Sequence, residues 1–180
     1  MLRFLDIFFA TIGLILSIPF FFLLTLISWV NKVSPLFYQQ RMGKKLKPFI
    51  LVKFRSMRPN TPSVATHLSD GSAVLPFGSF LRKSKIDELP QLWNVLRGDM
   101  SLVGPRPCLL NQKRLVSERK KRGVFRIRPG ITGLAQVTGV TMASPKLLAK
   151  TDLKMIKQMN LFYYFYYILM TLLLIFKKRS

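Results

Sequence analysis

A run of 24 residues without a charged side chain, from Ile7 to Val30, limits what the N-terminal part of this chain can form. As an α-helix it would be about 36 Å long, at about 1.5 Å per residue, which is enough to cross the hydrocarbon core of a bilayer. A signal peptide fits less well, because Asp6 offsets Arg3, the run is long and residues 28–31 do not form a small-residue cleavage site. The run therefore predicts a membrane-inserted helix over residues 1–30.

Pro19 lies in the middle of this apolar run. A proline inside a helix removes one hydrogen bond and clashes with the preceding turn, so we expect a kink or a break there, with the Ser17 hydroxyl available to a freed carbonyl group. Two topologies follow: a kinked helix that crosses the membrane, and a broken helix that enters it and returns to the same face. A straight helix that tolerates the proline is the remaining alternative.

Positive charge follows this run directly. Residues 32–58 contain eight Lys and Arg and no acidic residue, which the positive-inside rule places on the cytoplasmic side. The whole chain has 29 Lys and Arg against 7 Asp and Glu, a formal charge of +22, which requires an anionic partner: nucleic acid, anionic lipid or a phosphate-bearing substrate. The single histidine, His67, and single cysteine, Cys108, argue against zinc, disulfide or histidine-driven chemistry, and Cys108 is expected to be a small buried residue.

The C-terminal segment is a second apolar stretch. Residues 161–176 carry no charge, are rich in Phe and Tyr, and precede three basic residues. They are too few for a comfortable membrane span, and aromatic rings favour the interfacial zone. We therefore expect a helix at the cytoplasmic membrane surface, with a core helix of the soluble part as the alternative. The chain thus divides into a membrane-inserted helix (1–30), a cytoplasmic domain (31–160) and an interfacial helix with a basic tail (161–180).

The middle region holds most of the glycine and proline, and its patterns predict short elements. Predicted strands lie at residues 38–41 and 49–54, around a turn at Gly43, and at 134–137. Predicted helices lie at residues 87–97, 111–122 and 145–159. Predicted loops lie at residues 61–71 and 129–133. Since no βαβ alternation and no Gly-x-Gly-x-x-Gly motif is present, we expect a helix-rich α+β fold rather than a Rossmann fold.

Three of the seven carboxylates lie within thirteen residues: Asp87, Glu88 and Asp99. The adjacent pair falls at a predicted helix start, where free backbone N–H groups and the positive end of the helix dipole favour anions. Adjacent helical residues diverge by about 100°, so one carboxylate could act as a nucleophile while the other holds a hard cation. The alternative is that both only match the helix dipole.

Candidate phosphate-binding arginines surround this pair in the sequence. Arginine binds phosphate oxygens with a planar fork, which favours rigid presentation. Arg82 lies five residues before the pair, Arg106 lies between two prolines, and Arg126 and Arg128 precede a predicted turn. A solvated surface charge is the alternative for each. For the basic segment 113–121 we prefer that alternative, or contact with anionic lipid headgroups.

The stretch at residues 85–107, KIDELPQLWNVLRGDMSLVGPRP, strongly resembles the bacterial sugar transferases, the monotopic phosphoglycosyl transferases. Shorter matches occur in the family's order at residues 40–43, 53–57 and 128–137. The resemblance implies an enzyme in the bacterial inner (cytoplasmic) membrane, with its catalytic domain on the cytoplasmic face. Members move a sugar-1-phosphate from a UDP-sugar to polyprenyl (undecaprenyl) phosphate and release UMP, as a membrane step of glycoconjugate or polysaccharide biosynthesis.

The same resemblance implies roles for particular residues. Asp87 would attack the β-phosphorus and form a phosphosugar–aspartyl intermediate, and Glu88, together with Asp87, would hold Mg²⁺. Substrate or phosphate binding is implied for six residues: Arg82, Arg106, Arg128, Lys53, Arg55 and Gln136. The first helix of the family is re-entrant and broken at a Ser-Pro pair, which favours a break at Ser17 and Pro19, although Ile18 separates them here.

The implied partners are a UDP-sugar, polyprenyl phosphate and anionic membrane lipids, with no nucleic acid, and a homo-oligomer and downstream glycosyltransferases remain open. The small size and residues 139–148 resemble members that act on UDP-linked N-acetylated, often 6-deoxy, sugars. The competing hypotheses are a membrane-anchored nucleic-acid-binding protein and a non-catalytic membrane scaffold. DNA binding without UMP release would favour the first, and an unchanged yield of lipid-linked sugar after Asp87→Asn the second.

Overall fold

The computed structural model describes residues 1–59 and 74–177, and it combines helices with two small sheets, which confirms the α+β prediction. The predicted loop at 61–71, with His67, lies outside the described residues.

The first element, α1 (Leu2–Val30), is a long apolar helix that continues through Pro19 without interruption. The predicted break at Ser17 and Pro19 is therefore not seen. The Ser17 hydroxyl donates to the Gly13 carbonyl, and not to the carbonyl of residue 15 that the proline leaves without a donor. Among the described helices, α1 alone is long and apolar enough to cross a membrane.

The chain then forms an antiparallel hairpin from β1 (Leu36–Met42) and β2 (Pro48–Phe54), which confirms the first two predicted strands. The connection is tight: a 3₁₀ turn, Lys44–Leu46, follows Gly43, and two of its residues have positive φ. Alternate residues of β2 point into the core, including the buried Phe49. The hairpin thereby presents one apolar face to the helices.

Two short helices, α2 (Gly78–Ser84) and α3 (Gln91–Arg97), flank a 3₁₀ turn, Ile86–Glu88. The prediction of one helix over 87–97 is wrong in its start, because Pro90 caps α3 and the carboxylates lie in the separate turn before it. Helix α2 was not predicted from the sequence. Lys85 joins α2 to the turn with a left-handed φ of 62°, which redirects the chain between them.

A second, smaller sheet pairs β3 (Ser101–Val103) with β4 (Gly130–Thr132) in parallel, and the connection passes through α4 (Lys113–Lys121). The sequence analysis expected no such crossover and placed a loop at 129–133. The strands are three residues long, too short for alternating hydrophobicity to reveal them. Just beyond β3 the backbones nearly touch: a Cβ on Gly130 would lie 2.0 Å from the Gly104 nitrogen.

The remaining elements are helices: α5 (Leu134–Val137), α6 (Pro145–Gln158) and α7 (Leu161–Lys177). The strand predicted at 134–137 is wrong, because β3 and β4 stop pairing before it and its backbone closes a single helical turn on Gly133 instead. The predictions of α4, α6 and α7 are confirmed within a few residues.

The apolar helices α1 and α7 share the core of the middle region. Ala10 of α1 packs with residues of β2 and α3, and Tyr164 and Tyr167 of α7 pack with Val103 and Met155. Both helices also expose large apolar side chains, and these surfaces meet where the α7 ring of Phe165 lies 5.9 Å from that of Phe9 on α1. The buried face of α7 thus belongs to the core, and the predicted position of its exposed face at the membrane surface stays a prediction.

Asp6, near the start of α1, connects three elements. Its buried carboxylate accepts hydrogen bonds from the Tyr164 hydroxyl, the Ser101 hydroxyl and the backbone N–H of Leu102, and Arg3 lies 3.8 Å away. Because a buried carboxylate needs such partners, this cluster fixes α1 against β3 and α7.

Candidate active site

The 3₁₀ turn between α2 and α3 presents two neighbouring carboxylates in different environments. Both are buried, with Asp87 7% and Glu88 9% exposed. Glu88 Oε1 lies 3.0 Å from Lys53 Nζ, 3.3 Å from Arg106 Nη2 and 3.9 Å from Lys85 Nζ. The Asp87 carboxylate has no hydrogen bond or ion pair with the part of the chain that the structure describes. One carboxylate is thus fixed by three cationic neighbours, and the other is free to meet a ligand.

The two environments move the pKa values in opposite directions. Burial raises the pKa of Asp87 to about 6, and the negative charge of Glu88 adds to this effect, while nearby Lys53 opposes it. Burial also disfavours ionised Glu88, but the three cationic neighbours together outweigh it and bring the pKa of Glu88 well below its usual range. Two neighbouring carboxyl groups whose pKa values differ in this way are typical of active sites. At neutral pH both are ionised, and Asp87 is the more basic.

Asn94 explains how Lys53 reaches the carboxylates. It lies fully buried on α3, where its side-chain NH2 donates to the Ile50 carbonyl at 2.7 Å and its Oδ1 accepts from the Val52 N–H at 3.0 Å. These two hydrogen bonds lock β2 to α3, so the next residue of β2, Lys53, is held against Glu88.

Arg106 is positioned by a buried ion pair on the other side of its loop. Arg119 Nε donates to Asp152 at 2.8 Å, and Arg119 Nη1 donates to the Arg106 carbonyl, also at 2.8 Å. Arg41 Nη1 donates to the neighbouring Pro107 carbonyl at 3.1 Å. Burial, followed by the charge of Arg106, lowers the pKa of Arg41 to about 10. The loop that carries Arg106 is therefore fixed by two hydrogen bonds to its backbone carbonyls, one from Arg119 and one from Arg41.

Two predicted phosphate-binding residues lie away from the carboxylates. Arg55 donates to the carbonyls of Ser34 and Leu36 and braces the start of β1. Arg128 Nε donates to the Gly98 carbonyl at 2.7 Å, at the C-terminal end of α3, whereas the carboxylates precede its N-terminal end. In this structure the guanidinium groups of both residues donate hydrogen bonds to backbone carbonyls.

Gln136 and Arg82 are two further predicted binding residues. Gln136 lines a cavity together with Glu88, donates to the Gly104 carbonyl at 3.4 Å, and has a buried Oε1 with no partner among the described residues. Arg82, on α2, forms no hydrogen bond or ion pair within residues 1–59 and 74–177. Arg126 is exposed, in line with its reading as a surface charge.

Sequence reasoning missed several residues that build this site: Arg41, Lys85, Asn94, Arg119 and Asp152. Arg119 was assigned to a solvated or lipid-facing segment, yet it is 2% exposed. The available signal was its spacing on α4, four residues after the buried Leu115 and therefore on the same face. Cys108 is buried, as predicted.

The carboxylate pair fits a magnesium ion only together with a ligand. Within the described residues, no three His, Cys, Asp or Glu side chains cluster closely enough to hold a metal. Mg²⁺ is commonly bound by one or two carboxylates plus the phosphate oxygens of a substrate. Asp87, with its uncommitted oxygens, and Glu88 supply that donor set, and the phosphates would have to complete it.

The family of this chain follows from its similarity to known proteins. A family model described as bacterial sugar transferase matches residues 1–178. The chain belongs to this family. It is 42% identical over 130 residues (72% of this chain) to "Uncharacterized sugar transferase EpsL" of Bacillus subtilis (strain 168). It is 42% identical over 143 residues (77%) to a UDP-glucose:undecaprenyl-phosphate glucose-1-phosphate transferase of Caulobacter vibrioides.

A third relative is "Galactosyl transferase CpsE" of Streptococcus agalactiae serotype III, 38% identical over 151 residues, or 76% of this chain. The matches span 64%, 54% and 33% of the lengths of the Bacillus, Caulobacter and Streptococcus relatives. The shared part of this bacterial sugar transferase includes the carboxylate turn, while the relatives carry additional sequence.

Proposed function

We propose that this chain is a phosphoglycosyl transferase that moves a sugar-1-phosphate from a UDP-sugar to polyprenyl phosphate and releases UMP. The observation that carries the proposal is the buried, unpartnered Asp87 carboxylate beside a Glu88 held by three cations. Membership of the bacterial sugar transferases and the reaction named for the Caulobacter relative support it.

In the first step, an Asp87 oxygen attacks the β-phosphorus of the UDP-sugar. A bond forms between this oxygen and the β-phosphorus, and the bond from the β-phosphorus to the bridging oxygen breaks. UMP leaves with the bridging oxygen and its electron pair, and the sugar-phosphoryl group stays on Asp87. The raised pKa of Asp87 makes it a better nucleophile while leaving it ionised at neutral pH.

In the second step, a phosphate oxygen of polyprenyl phosphate attacks the same phosphorus, which forms the lipid-linked diphosphate sugar and returns the carboxylate to Asp87. Positioning and charge neutralisation carry most phosphoryl-transfer catalysis, so the positive charge of Lys53, Arg106 and Lys85 suits both steps. Mg²⁺, held by Asp87 and Glu88 with substrate phosphates, would supply further neutralisation of the diphosphate.

We place the enzyme on the cytoplasmic face of the bacterial inner membrane, with both ends of α1 on that face and its middle in the bilayer, which requires the continuous helix to bend at Pro19. Both ends of α1 contact the catalytic part: Arg3 donates to the Val95 carbonyl at 2.7 Å, and Leu24 packs with Phe54 and Leu81. A helix tied at both ends to one body supports two ends on one membrane face. The basic residues of 32–58 would face anionic headgroups there.

For the sugar, we propose a UDP-linked N-acetylated, 6-deoxy hexose. The test is UMP release by the purified protein with Mg²⁺ and undecaprenyl phosphate, across a panel that includes UDP-glucose and UDP-galactose. We expect UMP from one or a few N-acetylated donors, loss of release in Asp87→Asn, and loss on chelation with EDTA. Turnover of UDP-glucose or UDP-galactose alone would overturn the sugar assignment but preserve the reaction. UMP release that persists in Asp87→Asn would overturn the mechanism.

A further inference from the structure

A cavity of about 230 Å³ lies between α3 and the C-terminal half of α7. Its walls are mostly aliphatic, and its floor is β4. The aliphatic lining residues are Leu89, Leu92, Ile131, Leu174 and Ile175.

The cavity also has a polar, charged part. Glu88 and Gln136 line it, as do Lys83 and Lys85 from the end of α2. Lys83 forms no ion pair or hydrogen bond with the described residues, and Lys85 lies at the edge of the Glu88 cluster. One cavity therefore joins an aliphatic groove to Glu88, the neighbour of Asp87, and to two lysines.

We propose that this groove binds the first isoprene units of the polyprenyl phosphate acceptor, with its phosphate at Lys83 and Lys85. The inference rests on the proposed function and adds a binding site to it. The charge fits, because the lysines match an anionic headgroup and the aliphatic walls match a hydrocarbon chain. A uracil or sugar ring would leave its hydrogen-bonding groups unpaired against these walls.

The position of α7 over the groove is fixed by polar contacts at its near edge. The Thr171 hydroxyl donates to the Tyr167 carbonyl at 2.8 Å and is hydrogen-bonded to the hydroxyl of buried Thr132 on β4. The last turns of α7 thus stand beside the carboxylate turn while Leu172 and Leu173 remain exposed. A lipid in the surrounding membrane could then enter sideways, with its tail along α7.

Neighbouring residues of α7 supply a matched test. Leu174→Trp would fill the groove, whereas Leu173→Trp places the same bulk on the exposed face. We expect Leu174→Trp to raise the apparent KM for undecaprenyl phosphate by about tenfold or more, because several methylene groups of the lipid lose their burial. The burst of UMP released without acceptor should be unchanged in Leu173→Trp, which lies outside the groove. Equal KM values for Leu174→Trp and Leu173→Trp would overturn the proposal that this groove binds the acceptor.

A second readout separates failure of the groove from failure of the proposed function. A photoreactive polyprenyl phosphate is cross-linked to the full-length Asp87→Asn protein in phosphatidylglycerol-containing vesicles, and the labelled peptides are mapped by mass spectrometry. We expect labels within residues 171–175, competed by undecaprenyl phosphate but not by added phosphatidylglycerol. Labels elsewhere, or equal competition by phosphatidylglycerol, would overturn the inference. Absence of a UMP burst in the wild-type protein would overturn the proposed function and leave the cross-link result standing.

Discussion

Asp87 and Glu88 are neighbouring residues of the same chemical type that lie in different environments. The backbone turn at Lys85 points them into one site, and the cations from β2, α2 and the loop after β3 all meet at Glu88. What distinguishes Asp87 is the lack of any such partner among the described residues. Burial raises the pKa of this carboxyl group more than the nearby cations lower it, which suits the nucleophilic role that we propose.

The raised pKa of Asp87 predicts an acid limb in the pH profile. Since the attacking carboxylate must be ionised, kcat/KM for the UDP-sugar should fall as pH drops below about 6. Lys85 favours the ionised form, so Lys85→Met should raise the pKa of Asp87 and move this limb to higher pH. Lys150→Met, on the exposed part of α6, removes the same charge and should leave the limb in place. If the acid limb moved equally in both variants, its assignment to the ionisation of Asp87 would be wrong.

At the scale of elements, the buried pair between α4 and α6 acts on the active site through a backbone carbonyl. Arg119→Met should cost about 3–5 kcal/mol of stability, because it leaves Asp152 buried without its counter-charge. The double variant Arg119→Met, Asp152→Leu should recover most of that stability, measured by chemical denaturation in detergent. Its KM for the UDP-sugar should still be raised, because the Arg106 carbonyl has lost its donor. A double variant with normal KM would show that the pair is only structural.

The parallel pair β3 and β4 depends on glycine at its end. Gly130→Ala would bring a Cβ within 2.0 Å of the Gly104 backbone, which cannot move aside as a side chain can. We expect a loss of at least about 3 kcal/mol or no folded protein. Gly139→Ala is the matched comparison, since its positive φ of 74° costs about 1 kcal/mol but its Cβ meets open space. Thermal unfolding of both variants measures the two losses of stability. Equal losses for Gly130→Ala and Gly139→Ala would contradict the prediction.

At the scale of the whole molecule, contacts at both ends of α1 predict its membrane topology. In a Cys108→Ala background, Phe4→Cys and Lys47→Cys should both resist a membrane-impermeant maleimide applied to intact spheroplasts, and Lys47→Cys should react after lysis. Residue 4 is 71% exposed on the protein surface, so poor access within the protein does not explain protection. Labelling of Phe4→Cys in intact spheroplasts would instead show a spanning helix.

The sequence supports prediction of the long elements, but not of the contacts that surround Asp87 and Glu88, whose catalytic roles stay predictions. The hairpin and α6 follow from alternation and helical spacing over seven or more residues. The strands β3 and β4 are too short for such a signal, and Leu134 begins a helix because no strand edge remains beside it. Asn94 and Arg119 escaped notice because their roles are hydrogen bonds across 42 and 13 residues of sequence, which local patterns do not encode.

The Asp6–Tyr164 hydrogen bond has a consequence for how the protein is made. The two residues are 158 positions apart, so at about 5–20 residues per second the ribosome needs roughly 8–30 s after Asp6 to deliver its partner. During that interval the nascent α1 has an apolar surface ready for lipid and a carboxylate that still lacks its buried partners. The contact between α1 and α7 can therefore form only after α7 has been synthesised, late in the folding of this chain.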